Sequence, residues 1–232
     1  MTHPTALRRR LPVLLTTAAC VALAGCVMTA CAVGGDPSPS SPDLSSRSVA
    51  ASDFPAGQAS SIPPQAIANA LADITGSGVP GRTQGTEVAP AECAPAPVPA
   101  DGAVAFLGPG AGERSTLTTV VANVDTSLDD VVGLAQRCPQ ITTSTFGATS
   151  TVTTEVLPAP QAPDGVATAT IRRTIVTGGP APLTTSSLAL LGERGGVRVY
   201  TEYRWPAAGP VPADDAAALD ELFTKAVSAA FG

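Results

Sequence analysis

The chain of 232 residues is 44% hydrophobic but only 3% aromatic and 14% charged, with a formal net charge of −6. Its single histidine, His3, sits at the extreme N-terminus, so the rest of the chain has no residue for a histidine triad, an HExxH zinc site or an imidazole base. The acidic balance, with no Lys/Arg stripe after Arg10, argues against nucleic acid as a partner.

Residues 1–10 carry Arg8, Arg9 and Arg10 and no acid, and they lead into an apolar run over 11–24. That run is shorter than the roughly 20 residues of a membrane-spanning helix and has the layout of an export signal. It ends in Leu23, Ala24, Gly25 and Cys26, which resembles the bacterial lipobox, where small residues admit a signal peptidase and the cysteine takes a diacylglyceryl group. Acylation of the new amino group adds a further chain, and two or more chains anchor stably where one is marginal. Cys31, after Met28, Thr29 and Ala30, is the alternative acceptor, but it requires a longer apolar run and puts Met where Leu is favoured. Cys20 lies inside the run and leaves with it. Loss of residues 1–25 takes three of the 13 basic residues and none of the 19 acidic ones. The mature surface is then more acidic still, so lipid rather than a polybasic patch must hold the chain at the outer face of the cell membrane.

The organisation expected is a signal peptide (1–25), a lipidated flexible linker rich in Ser and Pro (26–61), and an extracytoplasmic α+β domain (62–232). The linker lacks the periodic apolar residues that would offset its chain entropy. In the domain, Pro63 and Pro64 open a helix with Ile67, Ala70, Leu71 and Ile74 on one face, closed by Gly76. A Pro/Gly-rich loop runs to Pro99. Residues 104–107 and 115–123 read as strands joined by a glycine-rich turn, Gly108 to Gly112, which lacks the Lys-Ser/Thr of a phosphate loop. Ser127 caps a second helix, with Leu128, Val131, Val132, Ala135 and Cys138 facing inward and Pro139 ending it. Strand patterns follow at 140–146, 149–157, 166–176, 183–191 and 197–205, separated by turn signals that imply antiparallel hairpins. A last helix over 214–231 carries Leu219, Leu222, Phe223, Ala226, Val227 and Ala230 on one stripe. The order predicts an antiparallel sheet of about five to seven strands with helices packed on one face.

Cys93 and Cys138 are the cysteines left in the folded part, and export to an oxidising compartment predicts a disulfide between them. Arg172, Arg173, Arg198 and Arg204 are candidates to line an anion site, but Arg198 and Arg204 share strand parity with Glu202, which favours a solvated, charge-balanced face. Tyr203 and Trp205 share the opposite parity with Val197 and Val199, which reads as core. The acidic pairs Asp129/Asp130 and Asp214/Asp215 sit at helix starts, where the helix dipole accounts for them. No catalytic residue, metal ligand or cofactor is expected.

The lipobox, the Ser/Pro tether, Phe54-Pro55-Ala56-Gly57, the short helix, Pro90-Ala91-Glu92-Cys93, a second Cys at a helix end and the closing amphipathic helix together resemble a family of mycobacterial and related actinobacterial lipoproteins of unknown function. More loosely they are similar to PknH-type extracellular sensor domains. The resemblance implies a disulfide-braced antiparallel sheet with helices around a cleft, with the Cys93–Cys138 pairing carried over. The function expected is non-enzymatic binding or sensing of an unknown, lipidic ligand, with Tyr203, Leu222 and Phe223 lining a gap between sheet and closing helix. The alternative is a structural lipoprotein that docks an envelope protein through a Thr-rich sheet face, with the Ala-rich helix closing that gap.

Overall fold

The computed structural model describes residues 42–78, 86–145 and 147–232. Among them lie the strands β1 (Ser60–Ser61), β2 (Glu87–Ala89), β3 (Val104–Pro109), β4 (Thr116–Asn123), β5 (Gln140–Thr145), β6 (Ala148–Leu157), β7 (Ala167–Thr177), β8 (Leu183–Arg194) and β9 (Val197–Trp205). The helices are α1 (Pro64–Thr75), α2 (Leu128–Arg137) and α3 (Ala213–Phe231). The strands form one antiparallel sheet in the order β1-β3-β4-β9-β8-β7-β6-β5-β2. The α+β class stands. The sheet has nine strands rather than five to seven, because β1 and β2 are two- and three-residue edge pieces too short to leave a pattern.

The helices form where their signals lie. Pro64 occupies the first turn of α1, and Gly76 ends it in the left-handed region. The Ser127 hydroxyl caps α2 by accepting from the Asp130 amide at 3.2 Å. In α3, Glu221 and Lys225 pair at 2.8 Å one turn apart.

β9 shows how the layers are arranged, since alternate side chains of a strand point to opposite faces. Val197, Val199, Tyr203 and Trp205 pack in one core with Leu219, Leu222, Phe223 and Val227 of α3. Tyr200, of opposite parity, packs in a second core with Ile67, Leu71 and Ile74 of α1 and Leu128 of α2. The helices therefore cover both faces of the sheet, not one. The solvated face expected for Arg198 and Glu202 is overturned with it: they are 1% and 2% exposed. Parity separates the two faces but does not say which is wet. Here α1 returns over the second face and covers the part of it that holds Tyr200 and Glu202.

The expected linker also ends earlier than residue 61. Residues 26–41 lie outside the described residues, but Leu44, Val49 and Phe54 are buried in the α3 core. The Arg47 Nε donates to the Ala230 carbonyl at 2.8 Å, and Lys225 Nζ donates to the Asp53 carbonyl at 3.1 Å, so this segment straps α3. Its path also explains part of the glycine-rich turn. A Cβ on Gly108 would lie 2.6 Å from the Gln58 carbonyl oxygen, so the crossing requires glycine.

Cys93 and Cys138 form the expected disulfide, with Cα atoms 5.8 Å apart and 45 residues between them in sequence. It ties the loop after β2 to the end of α2. Replacing both cysteines by serine should cost about 2–4 kcal/mol, because the unfolded chain regains the freedom of a long closed loop. Urea unfolding of the oxidised wild type against the double variant measures this, and equal midpoints would refute the brace. A second test concerns α3, which approaches β8 closely: a Cβ on Gly192 would meet Val227 at 3.1 Å and Phe223 at 3.4 Å. Gly192→Val should lower stability by about 1–3 kcal/mol through overpacking. A denaturation midpoint at or above that of the wild type would show that the contact is slack.

Candidate functional site

The two faces of the sheet are covered unequally. Under α3 the residues interlock: Tyr203, Leu222 and Phe223, expected to line a gap, are each 1% exposed. They belong to the closed core and do not line the cavity on the opposite face of the sheet. The reason is the close approach at Gly192, together with the strap from Leu44 to Phe54, which fills space that Ala-rich α3 leaves.

On the opposite face the covering is incomplete. A cavity of about 630 Å³ lies between the sheet, α1, α2 and the loop from Cys93 to Pro99. Its floor carries the aliphatic Ile141, Val152, Ile171, Ile175, Ala189 and Leu191 on β5 to β8, interspersed with the polar Thr143, Thr145, Thr154, Arg173 and Ser187. Val131, Leu134 and Ala135 of α2 face it, as do Ile74 of α1 and Val98. The apolar stripe of α2 was legible in the sequence, yet apart from Leu128 it is only half-buried, because much of it borders this space. The disulfide fixes one wall. Beyond Cys93 the sequence Ala94-Pro95-Ala96-Pro97-Val98-Pro99 is stiffened by alternate prolines, which fix φ and leave no N–H to satisfy at those positions.

Among the described residues six charged side chains line the cavity, Asp73, Asp125, Asp130, Arg137, Arg173 and Arg198, and two of them, Asp73 and Arg198, are ion-paired. Arg198 on β9 donates to Glu193 Oε2 through Nε at 2.8 Å, to the Tyr200 hydroxyl at 3.1 Å, and to the Thr126 carbonyl. Burial pushes the Tyr200 hydroxyl pKa up, with Arg198 opposing. Asp73, at the end of α1, pairs with Arg204, which also donates to Glu202 Oε1 at 2.9 and 3.2 Å. Glu202 Oε2 is buried without a hydrogen-bond partner among the described residues, and burial raises the pKa of this carboxyl against the pull of Arg204.

Arg173 on β7 differs. It donates to the Ile74 carbonyl at the end of α1, and among the described residues no carboxylate lies within ion-pairing distance. Burial pulls its pKa below the ordinary arginine value, with Glu202 opposing from an adjacent row. Its neighbours across the ladder are Thr154 on β6 and Ser187 on β8, and all three line the cavity. The sequence carried one signal of this, the odd-parity set Ile171, Arg173 and Ile175, in which a single charge interrupts an aliphatic row.

Asp215 has a role beyond the helix dipole. It is 5% exposed, accepts from the Tyr203 hydroxyl at 2.8 Å, and accepts from the Ala111 amide at 3.2 Å. These bonds hold the β3–β4 turn against α3, remote in role from the cavity. Burial raises the Tyr203 pKa, and the Asp215 carboxylate adds to the shift. Cys26 and Cys31 lie outside the described residues. Among the described residues no group of His, Cys, Asp or Glu is placed to hold a metal ion, and no helix is long and apolar enough to cross a membrane.

No protein-family model matches the chain, and no curated protein matches it. Among solved structures, the chain is similar to an uncharacterized protein from Mycobacterium smegmatis, an Rv0999 ortholog, at 17% identity and a TM-score of 0.40. That likeness covers 75% of this chain and 85% of the other, and at such a distance it carries no argument about function.

Proposed function

We propose that this protein is a membrane-anchored envelope lipoprotein whose folded domain binds a small lipidic ligand without chemical turnover, as a carrier or sensor. The observation that carries the reading is the cavity of about 630 Å³ with aliphatic side chains across its floor. Its volume falls within the roughly 300–1,000 Å³ of small-ligand sites, and such sites pair apolar walls with a few polar groups. A lipid is the ligand class that aliphatic side chains of this kind select. The anchor supports the reading, since acylation at Cys26 would keep the domain at the membrane face where lipids exchange. The resemblance to actinobacterial lipoproteins and PknH-type sensor domains points the same way. Catalysis is not proposed, because a chain whose single histidine precedes the lipobox has few groups able to move protons near neutral pH.

The competing reading, docking of an envelope protein, finds its support on the outer face of β5 to β7. Thr142 and Thr151, paired across strands there, are both exposed. The two readings separate in titrations of delipidated protein with a fluorescent fatty-acid analogue. Saturable binding, weakened about tenfold or more by Ala189→Trp in the floor but unchanged by Thr151→Trp on the outer face, supports the ligand site. No saturation at any accessible concentration favours docking. The anchor has its own test: Cys26→Ala should move the protein from the membrane fraction to the soluble one. Retention of that variant together with release of Cys31→Ala would transfer the lipid to Cys31.

A further inference from the structure

From the charge layout of the cavity we infer that its ligand is an anionic amphiphile, a long aliphatic chain ending in an oxyanion, with the oxyanion held by Arg173. The inference rests on the ligand-site reading and adds the chemistry of the head group. Among the described residues three cations line the cavity, Arg137, Arg173 and Arg198, together with the carboxylates of Asp73 beside Arg204 and of Asp125 and Asp130 at the start of α2. Arg198 is satisfied by Glu193, Tyr200 and Thr126. Arg137 lies exposed in the last turn of α2, where water and the helix dipole accommodate it.

Arg173 is half-buried on the cavity face of the sheet, between Ile171 and Ile175 along its own strand. A guanidinium carries five N–H donors, and among the described residues Arg173 uses them on one acceptor, the Ile74 carbonyl. The two carboxylates of its neighbourhood, Asp73 and Glu202, are both engaged by Arg204. A cation in such surroundings is costly without a counter-charge. A carboxylate or phosphate entering the cavity supplies that charge and can accept two parallel N–H bonds from the planar fork. The hydroxyl of Thr154, beside Arg173 in the same row, offers a further donor to an oxyanion seated there. From that point the aliphatic residues Ile141, Val152, Ile171, Ile175 and Leu191 provide the surface for the chain.

The test uses three probes with the same 16-carbon chain: palmitate, hexadecyl phosphate and hexadecanol, each displacing the fluorescent analogue from the full protein. At least one oxyanion should bind about tenfold or more tightly than the alcohol, as expected for a charge-assisted, buried contact. Which of the two binds more tightly identifies the head group. Arg173→Gln should bring the oxyanion down to within about twofold of the alcohol while leaving alcohol binding in place, and Arg173→Lys should keep part of the preference. Alcohol and oxyanions binding equally to the wild type would overturn the head-group inference and leave the lipid site standing; that comparison needs no variant to fold. A preference that survives Arg173→Gln would likewise remove Arg173 from the role. Displacement by none of the three would overturn both the inference and the site on which it rests.

Discussion

The burial of β9 on both faces is the constraint from which the rest of the structure follows. All its residues but Arg204 are buried, so each face needs its own cover and each polar side chain on it needs an internal partner. α3 and the strap from Leu44 to Phe54 close one face. The other face places Arg198, Tyr200, Glu202 and Arg204 under α1 and near the cavity, which is why its hydrogen bonds run between side chains and to helix ends rather than to solvent.

The asymmetry of the two covers separates stability from binding. On the α3 side, large residues such as Leu222 and Phe223 interlock with Tyr203 and Leu190, and each such burial contributes about 1.5–3 kcal/mol. On the α1–α2 side, two shorter helices and the loop from Cys93 to Pro99 share the cover and leave the cavity between themselves and the sheet. The aliphatic side chains beneath them keep apolar surface that the protein does not satisfy internally. The disulfide and the proline-rich segment hold that space open by fixing one wall without filling it.

Electrostatics refine this picture. The cations of the second face divide into those answered by the chain, Arg198 by Glu193 and Arg204 by Asp73 and Glu202, and Arg173, which meets a helix-end carbonyl instead. A helix C-terminus carries partial negative charge and so accounts for its tolerance there, but it is not equivalent to a carboxylate.

The sequence by itself determined the positions of the seven longer strands and of the three helices, the Ser127 cap of α2 and the Gly76 end of α1, the antiparallel hairpins and the pairing of Cys93 with Cys138, because each rests on local period, turn chemistry or the small number of cysteines. It also placed Tyr203 and Trp205 on the core side of their strand. The tertiary structure alone decided which faces were covered. The strap was missed because Leu44, Val49 and Phe54 recur every five residues, a spacing that belongs to neither helix nor strand and has meaning only where the chain crosses α3. Arg198 and Glu202 read as a wet surface because parity assigns a side chain to a face but cannot say what lies over it. The cavity was legible only as an amphipathic α2 whose stripe had to face something. That the stripe borders open space opposite α3, rather than a gap beneath it, depends on how far two helices reach across a wide sheet, a distance no local pattern encodes.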